Sequence, residues 1–93
     1  MTDTIPETTG AEFIETVTAN FTVPEAQMAS LHLAAEALDR ARAAQDAIDE
    51  HGILIDGLHG PKANPAVSIK RDAVAEFMRL NRLLSIFTDE DAS

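Results

Sequence analysis

A chain of 93 residues has room for one small domain, and a domain of this size buries a modest share of its surface, so self-association is an expected source of stability. It has no cysteine, which excludes disulfides, thiolate zinc sites and thiol nucleophiles and agrees with a reducing cytosol; its formal net charge of -9 argues against a chain that coats nucleic acid without specificity. No stretch approaches the roughly 18 apolar residues of a membrane span, and the N-terminus lacks the positive and apolar regions of a signal peptide, so no membrane contact is expected and the setting is read as intracellular.

Residues 1–8 are polar and threonine-rich, with Pro6, and are read as a flexible arm. Thr9-Gly-Ala-Glu12 then has the form of a capping box, and Phe13, Val17 and Phe21 follow at i, i+4 and i+8 with Ile14 beside them, which predicts a helix over about residues 10–20. A helix of about three turns is marginal alone, so its phenylalanine face must dock on something larger. A second box, Thr22-Val-Pro-Glu25, opens the main helix, with Pro24 early, where its missing N–H costs little. No Pro or Gly interrupts Glu25 to His51. Met28, Leu31, Ala35, Leu38, Arg42, Gln45 and Ile48 mark a heptad-like stripe there, and Ala34, Ala37, Ala41, Ala44 and Ala47 form a second line of small side chains. Two adjacent apolar surfaces predict two partners, one within the chain and one from another subunit. Gly52 is the expected helix stop.

Ile53-Leu-Ile-Asp56, the turn Gly57-Leu-His-Gly60 and the return Pro61-Lys-Ala63 read as a small β-hairpin, barely stable unless it packs on the helices or pairs with another subunit. Asn64 and Pro65 then supply an N-cap and a first helical residue. The last helix is expected to run to about Phe87, burying Val67, Val74, Phe77, Leu80, Leu84 and Phe87, with residues 88–93 as an acidic flexible tail. The expected fold is mainly α: a short N-terminal helix, then an antiparallel pair of long helices with a small β-hairpin between them. Residues 9–87 form its single domain.

Charge is unevenly spread. Lys62, Lys70, Arg71, Arg79 and Arg82 face only Asp72 and Glu76 within residues 62–82, giving that segment +3 while the rest of the chain sums to -12. Lys62, the Asn64 helix start and Lys70-Arg71 make a candidate seat for DNA phosphates. The same residues also fit a solvated helix face in which Asp72, Glu76 and Arg79 interact at i, i+3 and i, i+4 spacing. All four aromatic residues are phenylalanines at helical apolar positions, so no platform for stacking unpaired bases is expected.

Other chemistry finds little support. Ser30, Ser68 and Ser85 with His32, His51 and His59 sit in no recognisable nucleophile turn and read as caps and surface positions. Asp56 with His59, and Asp49, Glu50 and His51, lack the spacing of a known metal motif. Gly57-Leu-His-Gly-Pro-Lys62 lacks the GxxxxGK[ST] pattern, and Pro61 removes a backbone donor that a phosphate loop uses. No catalytic residue, metal or cofactor is therefore assigned.

The order of a long Ala/Leu helix ending in Gly52, the strand Ile53-Leu-Ile-Asp56, a glycine-bearing turn, Lys62-Ala-Asn-Pro-Ala66 and a helix with Arg79-Leu-Asn-Arg-Leu-Leu84 resembles the small subunit of phage terminase, over about residues 10–87. The closest likeness is to the compact forms of actinobacterial phages and prophages. Lys62, Ala63, Asn64, Pro65 and Ala66 carry the family-like motif.

The resemblance implies a non-enzymatic protein that assembles into a ring, recognises viral double-stranded DNA and delivers it to the large terminase subunit, which holds the ATPase and nuclease, in the host cytoplasm. On that reading Lys62, Lys70, Arg71, Arg79 and Arg82 are candidate DNA contacts. Phe13, Val17, Leu31, Leu38, Ile48, Ile53, Ile55, Phe77, Leu80 and Leu84 are candidate core or subunit contacts. The alternative is a small helical adaptor or regulator that uses the same apolar faces on another protein and never touches DNA.

Overall fold

The computed structural model describes the backbone of residues 8–92 and the side chains of residues 8–84. Its elements are α1 (Gly10–Asn20), α2 (Glu25–His51), β1 (Leu54–Gly57), β2 (Gly60–Ala63) and α3 (Pro65–Ala92), a mainly α architecture with a small antiparallel hairpin between two long helices. Apart from Thr8, the expected arm over residues 1–8 lies outside the described residues, as do the Phe87 side chain and Ser93 of the expected tail.

The start of α1 is fixed twice. The Thr9 hydroxyl accepts from the Glu12 N–H at 3.2 Å while the Thr9 N–H donates to Glu12 Oε1 at 3.0 Å, so both halves of the capping box are made. The Gly10 N–H then donates to Asp39 Oδ1 on α2 at 2.7 Å, which sets a carboxylate against the positive end of the α1 dipole. Only glycine fits there, since a Cβ on residue 10 would stand 2.6 Å from the Ala35 carbonyl oxygen and 2.5 Å from Asp39 Oδ2.

The face expected from Phe13, Val17 and Phe21 is shorter than its spacing implied. Phe13 and Val17 pack on the core with Ile14, but Phe21 is the C-cap, with its N–H on the Val17 carbonyl and its side chain half exposed. The second expected capping box is absent. Pro24 is the N-cap of α2, with no side-chain bond, and Glu25 is the first helical residue rather than the third, so Thr22 lies outside the reach such a box requires.

Both apolar lines of α2 have partners inside the chain over most of their length, while Gln45, Ala47 and Ile48 near its C-terminal end are half buried. Ala34, Ala37, Ala41 and Ala44 are buried along α3, small enough to let the two long helices approach closely. Met28 and Leu31 meet α1, in a cluster where Leu31, Ala34, Leu80 and Leu84 are buried and Phe13, Ile14, Val17, Val23, Met28 and Phe77 pack around them. The Phe13 and Phe77 rings meet edge to face with centroids 5.3 Å apart, a geometry worth about 0.5–1.5 kcal/mol beyond simple burial. The core is therefore a three-helix contact in which α1 lies along the α2–α3 pair.

Gly52 ends α2 at φ 85°, its N–H on the Ile48 carbonyl at 2.7 Å, and β1 follows. In the hairpin Ile55 stands opposite Lys62 and Asp56 opposite Pro61, with Leu58 and His59 as the two turn residues. Neither turn residue has positive φ; that conformation falls on Gly60, at φ 116°. Gly57 is needed for a different reason, because a Cβ there would come within 2.7 Å of the Gly60 carbonyl oxygen.

Asn64, 7% exposed, joins three elements. Its backbone N–H donates to Ile53, its side-chain amide donates to the Gly52 carbonyl at 2.8 Å, and its Oδ1 accepts from the Ala66 N–H at 3.0 Å as the N-cap of α3. The helix then runs to Ala92, five residues beyond the expected end near Phe87, and no Gly or Pro stop signal stands in that stretch. Val67, expected to be buried, is 39% exposed; Ala66 and Ala73 take the buried places on that part of α3.

Candidate nucleic-acid interface

The Lys62-Ala-Asn-Pro-Ala66 segment turns the chain from β2 into α3, and Asn64 fixes the angle of that turn through its bonds to Gly52 and Ala66. Lys62 therefore leaves the hairpin close in sequence to the point where α3 begins, and Lys70 and Arg71 follow on the second turn of that helix. Lys62 and Arg71 are exposed and Lys70 is half buried.

Further along α3, Arg71 and Arg82 stand eleven residues apart, close to three full turns, so they share one face separated by a rise of about 16 Å. Arg79 lies one turn before Arg82. At helical spacing this face is opposite Ala66, Ala73, Leu80 and Leu84, the residues buried against the rest of the molecule. Four of the five candidate cations thus sit on one helix, three of them outward, and the fifth on the hairpin beside its start.

Two of the outward arginines have carboxylate partners. Arg79 donates to Glu76 Oε2 at 2.9 Å, at i, i+3 spacing, and Arg71 Nε lies 3.3 Å from Asp72 Oδ1. Asp72 is thus held by its neighbour Arg71, outside the Glu76–Arg79 pair. Exposed pairs of this kind contribute about 0–1 kcal/mol. Lys62, Lys70 and Arg82 make no ion pair among the described residues.

The apolar candidates divide by depth. Leu31, Leu38, Leu80 and Leu84 are buried, Phe13, Val17, Ile48, Ile55 and Phe77 are half buried, and Ile53 is 64% exposed. Beside Ile53 the hairpin leaves Leu54 and Leu58 in solvent, Leu58 at 94%. Sequence reasoning did not single out Leu54 or Leu58 as surface residues. The readable signal was a large apolar side chain in a two-residue turn between glycines, a position that cannot reach a core.

A cleft of about 480 Å3 adjoins this patch, lined by Gln45, Ile48, Ile53, Val67, Lys70, Arg71 and Val74. Of the groups considered for chemistry, the Ser68 hydroxyl donates to the Pro65 carbonyl within its own turn, and His51 lies 3.8 Å from Glu50 at the exposed end of α2. Among the described residues no three His, Asp or Glu side chains converge as metal ligands would, and no helix is long and apolar enough to cross a membrane.

The family model described as "Phage terminase, small subunit" matches residues 12–86, which takes in most of α1, all of α2 and the hairpin, and α3 through its basic stretch. No curated protein and no solved structure matches the chain.

Proposed function

Because the chain belongs to the phage terminase small-subunit family, we propose that it is a non-catalytic component of viral genome packaging that assembles with copies of itself into a ring, holds double-stranded viral DNA and brings it to the large terminase subunit in the host cytoplasm. The DNA contact rests on one observation: on a protein of net charge -9, Lys62, Lys70 and Arg82 are cations outside every ion pair among the described residues, and they lie on the hairpin and α3 together with Arg71 and Arg79. Phosphate contacts are individually weak and salt-sensitive, so one basic face per subunit gains force when a ring presents it repeatedly. Exposed Ile53, Leu54 and Leu58 supply apolar surface for the subunit contact.

The adaptor reading keeps one supporting observation, since the Arg71–Asp72 and Arg79–Glu76 pairs lower the positive charge of the face. Replacing Lys70 and Arg71 together by glutamate separates the two readings. DNA retention is expected to fall, and the slope of log affinity against log salt to flatten by about one for every phosphate that is no longer neutralised. Unchanged retention and slope would remove the basic face as the DNA contact.

A further inference from the structure

The groove between α2 and α3 is filled by α1 along one half and open along the other. On α2, Leu38 and Gln45 are seven residues apart on one face; on α3, Phe77, Val74, Lys70 and Val67 succeed one another at steps of three and four. The stripe that meets α1 at Phe77 therefore continues directly into the cleft, where Ile48, Ile53, Val67 and Val74 offer apolar surface and Lys70 and Arg71 offer positive charge.

The N-terminal end of α1 lies on the side of this opening. Its N-terminal residue Gly10 is bonded to Asp39 near the middle of α2, while its C-terminal end leads back to the start of α2 at Glu25, so α1 runs antiparallel to α2 with its N-terminal end on the side of the open half. From Asp39 to Ile48 the helix rises about 14 Å, and seven residues reach about 23 Å when extended. Those seven, Met1-Thr-Asp-Thr-Ile-Pro-Glu7, carry an apolar Ile5 between the carboxylates Asp3 and Glu7. The cleft has the complementary set.

We propose that residues 1–7 are the occupant of this cleft, with Ile5 against Ile48, Val67 and Val74 and with Asp3 and Glu7 facing Lys70 and Arg71. The segment then covers apolar surface that α1 leaves open and offsets two of the cations on α3. Where Lys70 and Arg71 also contact DNA, segment and DNA compete for them; that consequence rests on the DNA reading, and the docking itself does not.

The absence of cysteine makes a direct test available, because Val67→Cys places the chain's single thiol in the cleft and Leu58→Cys places one on the exposed turn. The rate of thiol labelling is measured for each, without DNA, in the otherwise native chain and in a chain that also carries D3K, I5S and E7K. The cleft thiol is expected to label about fivefold faster in the second chain, a change equivalent to about 1 kcal/mol of docking, while the turn thiol labels equally in both. Equal rates at the cleft would overturn the proposal. So would protection that grows with protein concentration and survives the three substitutions, since a second copy of the chain would then be the occupant. In the unsubstituted protein, nuclear Overhauser contacts from the Ile5 methyl groups to Ile48 or Val67 are expected, and contacts from Ile5 to other parts of the chain alone would contradict it.

Discussion

Along one pair of long helices, two regions treat the same kind of side chain in opposite ways. Where α1 lies on α2 and α3, Leu31, Leu80 and Leu84 are buried and Phe13 meets Phe77. Where the hairpin stands, Ile53, Leu54, Leu58 and Val67 are exposed, and the two strands have little contact with the helices. The difference lies in what reaches each place. A third helix completes a packed layer at one end, whereas a hairpin of four-residue strands has too little surface to do so at the other. Stability is thus concentrated in the first region, and surface suited to partners in the second.

Substitutions should divide along that line. The largest effect is expected for Leu31→Ala, a loss of about 2–5 kcal/mol in denaturant unfolding, because the side chain is fully buried and its removal leaves a cavity. A loss below about 1 kcal/mol would mean that the three-helix contact is not where the stability resides. A smaller cost, about 1 kcal/mol, is expected for Asp39→Ala, which leaves the Gly10 N–H without its carboxylate. Addition of salt should not reproduce it, since the bond is partly buried and screened less than a surface pair. The smallest effect on protomer stability belongs to Leu58→Ser, within about 0.5 kcal/mol, because the side chain is 94% exposed. That variant should instead weaken assembly, read as a shift of the oligomer to higher protein concentration in sedimentation.

The same division explains what the sequence revealed. Local chemistry was legible: the Thr9–Glu12 box, the stop at Gly52, the hairpin with its glycines, and the restart at Asn64-Pro65 each rest on residues within a few positions of one another. Contacts between distant segments were not. Asp39 meets Gly10 across 29 positions, and nothing in the spacing of either residue announces the pair. The Ala line of α2 signalled a close helix neighbour but not which one, and the stripe beside it proved to be covered by α1 near Leu31 and left half buried at Gln45 and Ile48.

Pattern matching also misled where a boundary moved by a residue or two. Thr22-Val-Pro-Glu25 has the letters of a capping box, but Pro24 occupies the N-cap, and Phe21 follows the end of α1 instead of continuing its face. In the candidate interface the five cations were legible as a cluster in sequence. Their division into Arg71 and Arg79 with carboxylate partners and Lys62, Lys70 and Arg82 without required side-chain positions.

The central proposal is that the exposed hairpin, with Leu54 and Leu58 in solvent, joins copies of this chain into a packaging assembly. Light scattering coupled to size exclusion, at micromolar protein with and without double-stranded DNA, tests it most directly. The account predicts a mass several times the 10.0 kDa of one chain, together with co-elution of DNA that disappears as salt rises. A mass of 10.0 kDa at every concentration, with DNA eluting separately, would contradict it.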